Sequence, residues 1–383
     1  MNTREHETSF SFDALVDLFR RTHEAMQQSA ARAVDKRLAG RNWLFGWYIV
    51  EYEQKGADRA EIYGKRLIEG LAIRLRKCGV RGTSPTNLRK FREFYRGYPE
   101  IRQTLSVESI TRFLSDACEI QQTPSVESLS VCLASSALTA TLAKHFSLGW
   151  SHYVELLTID STDERRFYEI ESLQNGWTVQ ELKRQIASSL YERLALSRDK
   201  DEIMRLAREG QVVEKAADLI KNPLVLEFLD LPEHPHYSEN ELETAIIDKI
   251  EGFLLELGKG FLFEARQKRF TFDNDHFHVD LVFYNRLLRC YVLIDLKRDK
   301  LTHDDLGQMQ MYVNYFDRHV KLEDELPTVG IVLCHRKNDS LVELTLPKDA
   351  NIFASKYLLY LPSKEELKQQ VELATSALED ATP

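Results

Sequence analysis

At 383 residues the chain exceeds one ordinary domain of about 100 to 200 residues, and its 43% hydrophobic and 29% charged make-up is that of folding protein, so two cores are expected. No apolar run reaches the roughly 18 to 20 residues that cross a bilayer, and Met1 to Ser11 is too polar for a secretory leader, which excludes a membrane protein and predicts a cytoplasmic one. A formal net charge of -9 argues against a nucleic-acid coat, and five scattered cysteines, Cys78, Cys118, Cys132, Cys290 and Cys334, without a CxxC pair argue against a zinc site or a disulfide framework.

From about Phe12 to Ile220 apolar residues recur at three- and four-residue spacing, as in Leu67, Leu71 and Ile73 to Leu75. This predicts an all-α N-terminal domain over residues 1–197, a charged helical connector at 198–222 that ends at Asn222-Pro223, and a second domain at 223–383. Charge is unevenly spread: Leu71 to Pro99 holds eight basic side chains against one acid, Glu93, whereas Pro223 to Glu256 holds nine acids and only Lys249. A helix ending near Lys77 is followed by Gly79 and Gly82, then by Ser84 as an N-cap and Pro85 as a first helical residue, so a second helix is expected over Thr86 to Tyr95. Two helices joined by a glycine-containing turn fit a helix-turn-helix variant in which Arg81, Arg89, Lys90, Arg92 and Arg96 touch DNA phosphates. A solvated basic face on an ordinary helical bundle fits equally well. Trp150, Tyr153, Trp177 and a helix over Thr178 to Leu196 are expected to complete this domain's core.

In the second domain Ser238 to Glu241 forms a capping box, opening a helix that carries Leu242, Ile246, Ile250, Phe253 and Leu257 on one face and stops before Gly258. The period then changes to two. Strands are expected at Phe261 to Phe272, His276 to Asn285 and Arg289 to Lys297, then a helix at Leu301 to Arg318, strands at Thr328 to Cys334 and Lys356 to Leu361, and a closing helix at Lys364 to Leu378. Up to Cys334 the order is α-β-β-β-α-β, an α/β domain behind an all-α one.

Charges interrupt two otherwise apolar strands: Asp280 in FHVDLVF, and Asp295 with Lys297 in YVLIDLK. A hairpin centred on Leu287-Leu288 sets Asp280 directly opposite Asp295, on one face, with Cβ atoms about 4.5 to 5.5 Å apart. Two facing carboxylates repel and lose solvation, and a divalent cation relieves both costs; magnesium in particular takes one or two carboxylates plus waters and phosphate oxygens. Lys297 shares the face of Asp295 and suits phosphodiester hydrolysis, where it can steady an attacking water and the developing negative charge. The structural alternative is a strand-end salt-bridge cluster. On the preceding helix Glu243 falls on the inward arc, while Glu239, also inward, belongs to the first turn, where the helix dipole explains it. Gln308 and Tyr312, four apart on the following helix, share a face that could overlook the site.

These residues resemble the PD-(D/E)xK nuclease superfamily, and more closely the YhcG-type (DUF1016) nucleases. The likeness lies in Tyr237 to Gly260 (YSENELETAIIDKIEGFLLELGKG), then RQKRF, HVDLVFYNRLLRCYVLIDLK, LTHDDLGQMQMYVNYFD and VGIVLCHRKND, and for the helical domain in Asn42 to Pro99 and Trp150 to Arg193. The resemblance implies a restriction-endonuclease-like core, a metal on Asp280, Asp295 and the Leu296 carbonyl, Lys297 as the catalytic helper, Glu243 as the helix acid, and Gln308 with Tyr312 as a QxxxY pair. Gln267 lies in the RQ motif, with no independent chemical reason to make it catalytic. The expected cofactor is magnesium, with manganese as its substitute, and the expected partner is DNA; a homodimer would suit cleavage of both strands.

GxxxxGK[ST], HExxH and GxSxG motifs are absent, so no nucleotide cofactor is expected and neither a zincin nor a serine hydrolase has residues to stand on. Two rivals to the DNA nuclease stay open: a silent DNA-binding or assembly module with the same fold, and an RNA-directed nuclease.

Overall fold

The computed structural model describes residues 34–50, 53, 67–101, 144–196, 200–231, 237–272, 274–347 and 349–371. The chain divides into two compact units, Met1–Arg165 and Arg166–Pro383. The expected helical start at Phe12, together with Cys118 and Cys132, lies outside the described residues, and the expected closing helix Lys364 to Leu378 is described as far as residue 371.

The first unit is helical throughout its described part. A helix over residues 34–50 precedes α1 (Leu67–Lys77), α2 (Pro85–Gly97) and α3 (Trp150–Leu156). Helix α2 starts where Ser84 accepts from the Asn87 amide and Pro85 sits at the N-terminus, and it buries Leu88, Phe91, Phe94 and Tyr95 on one stripe. Phe94 anchors an aromatic core, its ring centroid 5.0 to 5.3 Å from those of Tyr98, Phe146, Trp150 and Tyr153. Gly46 is required for this packing, because a Cβ there would lie 1.9 Å from the Phe91 carbonyl oxygen.

Helix α4 (Thr162–Asn175) begins four residues before the second unit, in which α5 (Val179–Ala187), α6 (Leu190–Ala195) and α7 (Lys200–Glu209) lead into a six-stranded sheet. The single helix expected over Thr178 to Leu196 is two, broken at Ser189, whose φ is 52°. The break serves Arg193: its buried guanidinium donates to the Ser188 carbonyl at 2.8 Å and hydroxyl at 3.0 Å, acceptors a continuous helix would not present.

The sheet elements follow as β1 (Leu224–Val225), α8 (Glu239–Asp248), α9 (Ile250–Leu257), β2 (Phe261–Phe272), β3 (Asp275–Asn285), β4 (Cys290–Lys300), α10 (His303–His319), β5 (Val329–Arg336), α11 (Asp339–Thr345) and β6 (Ile352–Leu358). Strand order is β1-β6-β5-β4-β3-β2, antiparallel for β2-β3-β4 and parallel for β4-β5-β6-β1. Helix α8 opens on the expected capping box, but the helix read as continuous stops at Lys249 and restarts as α9, whose Gly252 seats the Phe228 ring 2.7 Å from where a Cβ would stand. Packing has overridden the helical period there. The last strand lies at Ile352–Leu358 and not at Lys356 to Leu361, and β1 and α11 are additional; a parallel strand buried on both faces gives little alternation to read.

Each sheet face carries its own apolar layer. On one, Leu281, Phe283, Ile294 and Leu333 meet Leu242, Ile246 and Phe253 of α8 and α9. On the other, Val282, Leu293 and Val332 meet Leu306, Met309, Tyr312 and Phe316 of α10. Every fully buried Leu, Val or Phe contributes about 1.5 to 3 kcal/mol, so both layers are firmly held.

A charged cluster ties α5 and α6 to α9. Arg193 pairs with Glu256, both fully buried; Arg184 reaches Glu227 at 2.8 Å and Glu256 at 3.4 Å; and the Val225 amide donates to Glu256 at 2.9 Å. Burial alone would raise the Glu256 carboxyl, but Arg193, Lys221 and Arg184 overcome it and hold the group at about 2.

Candidate active site

The β3-β4 ladder pairs Leu281 with Ile294 through to Asn285 with Cys290, the hairpin register expected from the sequence. One step beyond its last pair, Asp280 stands opposite Asp295. Strand alternation places both on the α10 side with Val282 and Leu293. Where the backbone ladder ends, the Asp280 side chain replaces it: Oδ2 accepts the Leu296 amide at 2.8 Å. A strand residue's N–H and C=O point to the same side, so the Leu296 carbonyl opens toward the same gap.

Asp295 is 2% exposed, and its Oδ2 lies 2.9 Å from Lys297 Nζ. That contact is an ion pair without the angles of a hydrogen bond, which leaves Oδ2 buried and lacking an aligned donor. Lys297 lies 3.8 Å from Asp305 as well, so three aspartates, Asp280, Asp295 and Asp305, share one ammonium. Acids outnumber cations in this cluster, so the chain's own charges leave buried Asp295 under-compensated. Burial first, and then the Asp280 charge, push the Asp295 carboxyl up to about 7, and burial raises Asp280 too. Burial would lower Lys297, but the charge on Asp295 outweighs it and pushes the ammonium up to about 12, making it a fixed cation and no proton acceptor near neutral pH.

Glu243 is buried, as its place on the helical wheel requires, and each of its oxygens accepts one hydrogen bond: Oε1 from Arg266 at 2.5 Å and Oε2 from the Gln267 amide at 2.6 Å. The same Gln267 nitrogen donates to Asp280 Oδ1 at 2.9 Å, so Glu243 reaches the aspartates through Gln267. Gln267 has a left-handed φ of 46°, which costs a non-glycine residue roughly 1 to 2 kcal/mol. On α10, Gln308 donates to the Tyr312 hydroxyl at 2.5 Å. Tyr312 is 1% exposed, and burial together with the Asp295 charge pushes its phenol up to about 12, so it stays protonated beside the acids.

The structure therefore brings Asp280, Asp295, Lys297, the Leu296 backbone, Gln308 and Tyr312 together, with Glu243 joined through a bridge. Three further residues take part in ways not assigned from the sequence: Gln267 and Glu239, named above without a role at the site, and Asp305. Gln267 was legible from hairpin arithmetic, because the register fixed by the Asn274 turn sets it opposite Asp280 between the pairs Arg266↔Leu281 and Lys268↔Val279. Asp305 was visible only as the capping-box acid of Thr302. Glu239, dismissed as a dipole residue, accepts the Arg298 amide at 3.1 Å just past Lys297.

The basic residues of the first unit are differently placed. Arg89 pairs with Glu69 at 2.5 Å, and Glu53 takes Arg92 at 2.9 Å and Arg96 at 3.3 Å. Arg81 is exposed and Lys90 partly so, neither with an ion pair among the described residues.

Residues 217–372 match the family described as the YhcG PDDEXK nuclease domain, and residues 19–193 match the DUF1016 N-terminal domain. The chain is 37% identical over 361 residues to an Escherichia coli (strain K12) protein named "Putative nuclease YhcG", a likeness covering 93% of this chain and 92% of that one. Among solved structures, a repair endonuclease from Pyrococcus abyssi is similar at 19% identity and a TM-score of 0.23, over 33% of this chain and 49% of that one.

Proposed function

Because the chain belongs to the YhcG family of PDDEXK nucleases, we propose that it is a magnesium-dependent nuclease hydrolysing DNA phosphodiester bonds, with Asp280, Asp295 and the Leu296 carbonyl as the metal ligands. The observation that carries this reading is the charge imbalance: buried Asp295, raised to about 7, and its neighbour Asp280 have only Lys297 to answer them. The donor set fits magnesium, which takes one or two carboxylates and leaves room for waters and phosphate. Among the described residues no group of three or more His, Cys, Asp or Glu side chains is arranged to enclose an ion. When bound, such a cation supplies Lewis acidity and lowers the pKa of a nearby water, and manganese can substitute for it.

The protein's own residues have distinct tasks. Lys297, held as a cation, lies where it can steady the attacking water and the charge growing on phosphate oxygens. Asp305, 3.8 Å from the lysine, keeps its ammonium in place without a close pair that would bind it up. Tyr312, protonated and tied to Gln308, closes the α10 side of the site.

We assign DNA docking to the helical region, residues 1–197, with 198–222 as connector and 223–383 as nuclease domain. The α1-turn-α2 pair would act as a helix-turn-helix variant. Arg81 and Lys90 are its freest candidates for phosphate contact, while Arg89, Arg92 and Arg96 would have to exchange Glu69 and Glu53 for phosphate. We assign the protein to the cytoplasm, where its DNA substrate would be met; separately, among the described residues no helix is long and apolar enough to cross a membrane. A homodimer would let two sites cut both strands.

The test is cleavage of linear, supercoiled and branched DNA with magnesium by wild type, Asp295→Ala and Lys297→Ala at equal folded concentration. Wild type is expected to cut, and each variant to lose about 10²- to 10³-fold or more in rate with DNA binding retained. DNA binding without cleavage by any of the three would reassign the protein as a DNA-binding module, and cleavage confined to matched RNA would make it a ribonuclease.

A further inference from the structure

Five described residues other than glycine have φ in the left-handed region. Ser189 and Asp230 cap helices, and Asn274 and Arg289 lie in the turns that flank β3. Gln267 alone interrupts a strand. Its side chain is exposed, so apolar packing does not account for the conformation. What the conformation achieves is polar: one amide nitrogen reaches Glu243 Oε2 at 2.6 Å and Asp280 Oδ1 at 2.9 Å, two carboxylates on different elements. Both neighbours are acceptors only, so the nitrogen and not the oxygen of the amide must face them, and both of its hydrogens are used.

We propose that Gln267 is a positioning residue that holds Asp280 in its metal-ligating orientation by tying it to buried Glu243; this rests on the metal-dependent reading above. With Gln267 on Oδ1 and the Leu296 amide on Oδ2, each Asp280 oxygen has one fixed donor and keeps a lone pair for a cation. Glu243 is itself buried and held by Arg266 at 2.5 Å, and Arg266 by the Thr244 hydroxyl at 3.0 Å. A neutral amide suits the position for a reason of charge. Arginine or lysine could make the same contacts, but would neutralise Asp280 and compete with the metal; glutamine orients the carboxylate and leaves its charge intact. Glu243 already has a cation of its own, the Arg266 guanidinium on Oε1, and it reaches Asp280 only through the Gln267 amide, so it acts here at one remove.

The experiment is titration calorimetry of Mn²⁺ into the metal-free full-length chain, with thermal melts in chelator to verify folding. Wild type, Asp280→Asn, Gln267→Met and Gln267→Lys are compared. Wild type should bind Mn²⁺ and Asp280→Asn should not. Gln267→Met keeps the length of the side chain and loses the donors; it should bind about 10- to 100-fold more weakly and lower kcat while leaving KM for DNA unchanged. Gln267→Lys keeps a donor and adds a charge; it should melt no lower than wild type and lose Mn²⁺ binding. Wild-type affinity in either Gln267 variant overturns the positioning role while leaving the metal site standing. Failure of wild type itself to bind Mn²⁺ overturns both the metal reading and the positioning role built on it.

Discussion

The second unit contains two buried charge clusters with opposite balances. Around Glu256, Arg193 and Arg184 pair with one fully enclosed carboxylate, Lys221 donates to the same residue's backbone carbonyl, and the three charges together hold the carboxyl at about 2. Around Lys297, three aspartates converge on one ammonium, and Asp295 is pushed up to about 7. Burial acts in the same direction on both carboxylates; the number of cations supplied by the chain decides the outcome. The first cluster is complete in itself and fastens α5 and α6 to α9. The second is short of positive charge, and a shortage held in place by a rigid sheet is a place for a cation from outside.

The comparison breaks most sharply at Glu256. Glu256→Ala strands buried cations and is expected to destabilise the chain by about 3 to 5 kcal/mol in urea unfolding; a loss below about 1 kcal/mol would mean that cluster is not the fastening it looks like. At the other pole Asp295→Asn should stabilise the metal-free protein at pH 8, raising its melting temperature by roughly 3 to 6 °C. The folded-state value of Asp295, about 7, lies above its ordinary 3.8. Its protonated form therefore favours the folded chain below pH 3.8, and that contribution is lost as pH rises through about 7. The gap between variant and wild type should thus open over this window and close below it; a gap independent of pH would point to repacking instead. The smallest effect expected is that of magnesium: millimolar metal should stabilise wild type by about 1 kcal/mol at pH 8, less at pH 6, and not at all in Asp295→Asn. Equal stabilisation at both pH values would place the ion elsewhere.

Period and turn chemistry made most of the site readable in advance. Alternation in FHVDLVF and YVLIDLK fixed the hairpin, and the hairpin fixed which carboxylates face each other. Glu243 was legible as an inward residue, but its partner was not: a helical wheel gives a direction and no distance, and Arg266 and Gln267 come from a strand whose left-handed kink no propensity predicts. The breaks at Ser189 and Lys249 escaped for a related reason, since a buried arginine's need for acceptors and a ring seated on Gly252 arise only from tertiary contact. In the first unit the Ser84-Pro85 start of α2 was explicit in the sequence, whereas the engagement of Arg89, Arg92 and Arg96 by Glu69 and Glu53 depends on residues 20 to 43 positions away.

Strand order also gives the site two different tempos. Asp295 and Lys297 belong to β4, an interior strand that pairs with β5 through Lys297 and with β3 as far as Ile294, whereas Gln267 belongs to β2, an edge strand. Rim strands fray at a fraction of the free energy needed to open a sheet's interior, so amide exchange should be slow at β4 and β5 and fast along β2. Each excursion of the rim would withdraw the Gln267 amide from Asp280 and leave the central carboxylates where they stand. Half of the site is thus mortared into the sheet, and the other half hangs on its outermost course.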